Sequence, residues 1–183
     1  YANLLKFFRK EYMTKARKTL AAESMPKGKA WYRQQIREYT TLDLSPEEIH
    51  AIGLSEVARI QAEMLETMAE TGFEGSFEEF LVFLRTDPQF YPKTPEELLM
   101  RAAWISKQVD AKLAQFFGLL PRARFSIEPV PADIAPFWTA GRGGPTTYWL
   151  NTYDLPSRPL YNLPALTLHE SAPGHSFQLS LAE

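Results

Sequence analysis

The distribution of proline constrains this chain more than any other single feature. Of 14 prolines in 183 residues, five precede residue 121 and nine fall from Pro121 onward. Proline fixes φ and lacks a backbone N–H, so it is excluded from helix interiors and central strands. Residues 1–121 can therefore hold long helices, whereas residues 122–183 must be built from strands, turns and short helices. The expected fold class is mainly α, with a small β element placed late in the chain.

Within the first region, Leu4, Leu5, Phe7, Phe8, Tyr12, Ala16 and Leu20 recur near a 3.6-residue period. They predict a helix over 2–22 that stops before Met25-Pro26-Lys27-Gly28. Residues 31–39 continue weakly, as helix or extended segment. Ser45-Pro46-Glu47-Glu48 combines an N-cap residue, proline at the first helical position and glutamate where a capping box needs it. The face Ile49, Ile52, Val57, Ile60, Met64 and Met68 follows, with Gly72 as the residue past the C-cap. Ser76 opens a short helix ending near Asp87-Pro88. Thr94-Pro95-Glu96-Glu97 opens another, carrying Leu98, Ala102, Ile105, Val109, Leu113 and Phe116.

After Arg122 the period changes. Ala123, Phe125 and Ile127 alternate with Arg124, Ser126 and Glu128, a strand pattern that Pro129 and Pro131 close. Gly141-Arg142-Gly143-Gly144-Pro145 reads as a turn or hairpin. It lacks the Lys-Ser/Thr that would make it a phosphate loop. Thr146–Tyr153 is rich in β-formers. Asn162-Leu163-Pro164 starts the last helix.

Composition excludes several classes. The chain has no cysteine, so disulfides, thiolate metal sites and a cysteine nucleophile are ruled out. No apolar run approaches the ~20 residues of a membrane helix. The formal charge of −2 hides an asymmetry. Residues 1–40 carry ten Lys/Arg against three Asp/Glu, and residues 41–100 carry three against thirteen. Two helical segments facing each other explain this more simply than nucleic-acid binding, for which no recognition motif is present. No targeting signal identifies a compartment, and both the cell envelope or periplasm and the cytoplasm stay open.

One segment carries chemistry: His169-Glu170-Ser171-Ala172-Pro173-Gly174-His175. The helical zinc signature H-E-x-x-H places two imidazoles four residues apart on one helix face, beside a glutamate general base. Here the second histidine is at i+6, which turns a helix by ~600° and rises ~9 Å. An unbroken helix cannot bring both rings to one ion. Pro173 would lose the helical bond to the His169 carbonyl, and Gly174 permits backbone angles closed to other residues. Two residues looped out there would return His175 to the place of the usual second ligand. On spacing alone, a metal pair and two exposed histidines at a helix end remain equally open.

The segment HESAPGHSFQ resembles the H-E-x-x-P-G-H-x-x-Q motif of the bacterial family catalogued as domain of unknown function 885. The resemblance continues through Tyr39-Thr40-Thr41, Ser45–His50, Gly53–Val57, Arg85–Phe90, Phe117–Pro121 and Tyr148–Thr152. That family is grouped with zincin-type metallopeptidases, distantly similar to the carboxypeptidase Taq and neurolysin types. The resemblance implies a helical, neurolysin-like fold in which His169 and His175 bind Zn2+ and Glu170 is the general base. It also implies a third, carboxylate ligand from a downstream Glu-Gly-Trp-Ala-like segment, which this chain does not contain. Glu183 is a poor substitute. With an uncapped start and an end inside an amphipathic run, the chain is expected to be a fragment of a larger catalytic domain. Zincins pair substrate backbone with an edge strand, so Tyr148 and Asn151 are candidate substrate-binding residues.

The expected function is peptide-bond hydrolysis by a zinc metallopeptidase acting on a peptide or small amide. The alternatives are a non-catalytic helical scaffold and a metal-dependent hydrolase of other amides or esters. Elsewhere the simpler readings hold: His50 half-buried and structural, Met64 and Met68 in the core, and Trp31, Trp104, Trp138 and Trp149 engaged in packing.

Overall fold

A computed structural model describes residues 1–182 and is mainly helical, with one three-stranded sheet. The Glu183 reading lies outside the described residues. The chain divides into two compact units, Tyr1–Phe73 and Glu74–Glu183. Among the described residues, no helix is long and apolar enough to cross a membrane.

In the first unit, α1 (Ala2–Phe7) passes through a π-helical turn (Phe8–Tyr12) into α2 (Met13–Lys15). The helix expected over 2–22 thus ends seven residues early, where Ala16 turns extended at ψ 141°. Arg17 there donates to the Ala21 carbonyl and to Ser24 Oγ, a local network that competes with helix. The weak segment at 31–39 is helical, within α3 (Gly28–Thr40). At the start of α4 (Pro46–Glu70) the capping box forms in full: Glu48 N–H donates to Ser45 Oγ and Ser45 N–H donates to the Glu48 carboxylate. Gly72 follows at φ +72°, the left-handed backbone of a C′ glycine. Burial departs from expectation. Met68 is buried, but Met64 and His50 are exposed. The apolar period specified the helix without specifying what covers its face. Trp31 is likewise about half exposed.

The second unit builds the site. α5 (Phe77–Thr86) carries a second capping box, from Ser76 and Glu79. α6 (Pro95–Asp110) starts on the Thr94 cap, and a short α7 (Leu113–Phe116) follows. Trp104 lies on the outer side of α6, largely exposed rather than packed. The strands are β1 (Ser126–Pro129), β2 (Gly141–Gly143) and β3 (Thr147–Leu150), in the order β1-β3-β2. β3 lies between a parallel β1 and an antiparallel β2, the latter joined to it by the hairpin expected at Gly141–Pro145. β1 begins three residues after the alternating pattern does, because its first partner on β3 is Thr147, opposite Ser126. Pro129 is accommodated because β1 is an edge strand.

α8 (Leu163–Glu170) and α9 (His175–Ala182) complete the chain. α6 and α8 pack on each other and against the sheet, α6 on β1 and α8 on β2. Leu98, Ala102, Tyr148, Leu150 and Leu163 form the core of this layer, surrounded by Ile105, Phe125, Ile127 and Leu166. A second cluster joins Leu113, Ala172 and Phe177, with the Phe117 and Phe177 rings 4.7 Å apart. It anchors the first turn of α9.

Candidate metal centre

The helix that carries His169 stops one residue later. At Ser171 the backbone leaves the α region (φ −106°, ψ −111°), and the chain resumes as helix at His175. The intervening turn is held by hydrogen bonds to the helices on either side. Ser171 N–H and Oγ–H both donate to the Thr167 carbonyl, at 2.9 and 2.5 Å. Gly174 N–H reaches the Leu168 carbonyl at 3.0 Å, and Ser176 N–H the Ser171 carbonyl at 3.0 Å. A Cβ on Gly174 would fall on the His169 carbonyl and lie 2.5 Å from the Leu168 carbonyl oxygen, so only glycine fits here. The Ala172–Pro173 bond is cis.

This break brings the two histidines together. Their rings meet edge to face, with centroids 4.8 Å apart and an interplanar angle of 88°. Glu170 is buried beside them, and its Oε2 lies 3.9 Å from His175 Nε2. One donor atom from each of His169, Glu170 and His175 lies within 4.8 Å of the other two. Two zinc bonds of ~2.1 Å span at most roughly 4 Å. The cluster is therefore close to ligating distance. The two imidazole nitrogens are donors that suit zinc.

The other side of the site is the glycine-rich hairpin. Gly143 N–H donates to Glu170 Oε2 at 2.5 Å. Ser176 Oγ–H donates to the Gly144 carbonyl at 2.7 Å, tying α9 to the same hairpin. The sequence reads Gly141, Gly143 and Gly144 as a hairpin or turn and gives Gly143 no part in the site. Its glycine is required by close approach, since a Cβ would strike the Glu170 carbonyl and lie 2.7 Å from His175 Cβ.

Tyr148 and Asn151 lie beneath the site and are fully buried. The Asn151 amide donates to the Ala135 and Thr139 carbonyls at 2.9 and 3.0 Å, and its oxygen accepts from Tyr153 N–H at 3.0 Å. Burial pushes the Tyr148 phenol up to about 12. The Glu170 charge adds to this, and the Thr167 hydroxyl opposes it. Among the described residues, the Tyr148 and Thr167 hydroxyls nevertheless fall short of hydrogen-bonding geometry with any partner.

The family model described as "Bacterial protein of unknown function (DUF885)" matches residues 1–183. No curated protein matches the chain. Among solved structures, the chain is similar to that described as "The crystal structure of the putative lipoprotein from Colwellia psychrerythraea", with a TM-score of 0.84 and 30% sequence identity. The match covers 98% of this chain and 33% of the Colwellia chain, so the present chain spans about a third of that protein's length.

Proposed function

This chain belongs to the bacterial DUF885 family, and on that premise we propose that its protein is a zinc-dependent hydrolase of peptide bonds. The observation that carries the reading is the helix break at 171–174, which puts His169 and His175 in ring contact beside a buried glutamate. His169 and His175 would hold the ion. Catalytic zinc sites have three protein ligands, and the third is assigned to a carboxylate of the Glu-Gly-Trp type, which this chain lacks. Zinc, when bound, supplies a Lewis acid that polarises an amide carbonyl and acidifies water.

The protein's own part in the reaction falls to Glu170. One of its oxygens is held by Gly143 N–H. The other has no hydrogen-bond partner among the described residues and is free to take a proton. In the proposed reaction it accepts the proton of the attacking water and returns it to the leaving amine. Burial of the side chain excludes bulk water from that transfer. Ser171, Gly174 and Ser176 hold the turn that keeps the imidazoles converged.

The test is turnover of short peptides, N-acyl amino acids and simple esters by the full-length protein, with and without chelator. Peptide cleavage that a chelator abolishes and zinc restores supports the proposal. Preference for esters or N-acyl amino acids would assign a different substrate. Absence of both metal and turnover would leave a helical scaffold.

A further inference from the structure

We propose that Gly143 is a positioning residue for Glu170: the edge strand β2 holds the general base through its main chain. The inference rests on the reading of Glu170 as the base. Glu170 is the last residue of α8, at the helix end where unpaired carbonyls concentrate negative potential. A carboxylate there is disfavoured unless something donates to it, and it is also largely buried. Among the described residues, no lysine or arginine pairs with it, and His175 stands at 3.9 Å. The single hydrogen bond to its side chain is Gly143 N–H at 2.5 Å.

The contact is specific in two respects. It engages Oε2 and leaves Oε1 unpaired, so the carboxylate is fixed in orientation while one oxygen stays available to receive a proton. It also requires glycine, because the end of α8 and the start of α9 both press on the Cα of residue 143. β2 is an edge strand paired only with β3, and the Gly143 amide points away from that ladder, toward α8. One backbone N–H thereby joins the base to the strand on the opposite wall of the site. Gly144 provides the contrast one residue later, since its N–H turns inward to the Thr147 carbonyl at 2.8 Å.

The experiment replaces the peptide N–H of Gly143 by an ester oxygen in the full-length protein, with the same replacement at Leu160, whose N–H donates to the Phe90 carbonyl at 2.7 Å away from the site, as control. Neither adds an atom where Cβ cannot fit, and each deletes one backbone hydrogen bond. The expected result at Gly143 is a fall in kcat of about 100-fold, the scale of a misplaced catalytic group. KM and zinc content should stay near wild type. The Leu160 ester should lose similar stability and keep its kcat. The second readout needs no turnover. The Gly143 amide proton resonance should lie downfield in the wild type and move upfield in Glu170→Gln. A Gly143 ester with wild-type kcat, or an amide resonance indifferent to Glu170→Gln, would overturn the proposal. A wild-type protein without peptidase activity but with the responsive resonance would instead refute the peptidase reading and leave the contact standing.

Discussion

Gly174→Ala tests the turn that makes the site. The added methyl would overlap the His169 carbonyl and sit 2.5 Å from the Leu168 carbonyl oxygen, both of them backbone atoms that no side-chain rotation can move away. Relief requires opening the 171–174 turn. That costs the Gly174 N–H bond to Leu168 and strains the neighbouring Ser176 N–H bond to Ser171. Overpacking of this kind costs about 1–3 kcal/mol, and a lost hydrogen bond adds about 1 kcal/mol. The expected destabilisation is thus about 2–4 kcal/mol. At a urea slope of about 1–3 kcal/mol per molar, the midpoint moves down by on the order of 1 M. Circular dichroism through a urea series measures it. Gly53→Ala is the matched control. Nothing lies within 4 Å of its Cβ in the interior of α4, so alanine should stabilise by about 0.5–1 kcal/mol. A Gly174→Ala protein with the wild-type midpoint would refute the account of how the histidines converge.

Other outcomes follow from the same geometry. Asn151→Ala should cost about 1–3 kcal/mol in urea unfolding, because it strands the buried Ala135 carbonyl and removes the bonds to the Thr139 carbonyl and the Tyr153 N–H. Tyr148→Phe should change stability by less than about 1 kcal/mol, since the buried hydroxyl it removes makes no well-formed hydrogen bond among the described residues. In an absorbance titration the wild-type Tyr148 phenol should ionise only near 12. Folding holds that proton more tightly, so the linked stability is full below the ordinary tyrosine range and is lost as pH rises from there through about 12. The capping glutamates have the opposite sign. Bonds from Ser45 and Ser76 hold Glu48 and Glu79 below the usual carboxylate range. Their contribution is full above that range and disappears as pH falls through the lowered values, which Glu48→Gln and Glu79→Gln variants should flatten in acid unfolding curves.

How much of this was legible in the sequence depends on the range of the interactions. Ser45, Ser76 and Thr94 announced their helices because a cap is made within four residues. The Pro173-Gly174 insertion foretold the helix break for the same reason. The remainder was not carried by apolar periodicity. The early end of the first helix is determined by Arg17 folding back on Ala21 and Ser24, which apolar spacing does not register. Exposure of His50 and Met64, against burial of Met68, depends on what packs over α4. The part of Gly143 in the site was invisible for that reason too, because it meets Glu170 across 27 residues of sequence.

The most direct test of the central claim is zinc content and peptide turnover in full-length wild type and Glu170→Gln, measured on the same preparations. The account predicts about one zinc per chain in both proteins, with turnover in the wild type reduced by at least about 100-fold in the variant. Equal turnover in the two, or a wild-type protein that cleaves peptides without binding zinc, would contradict it.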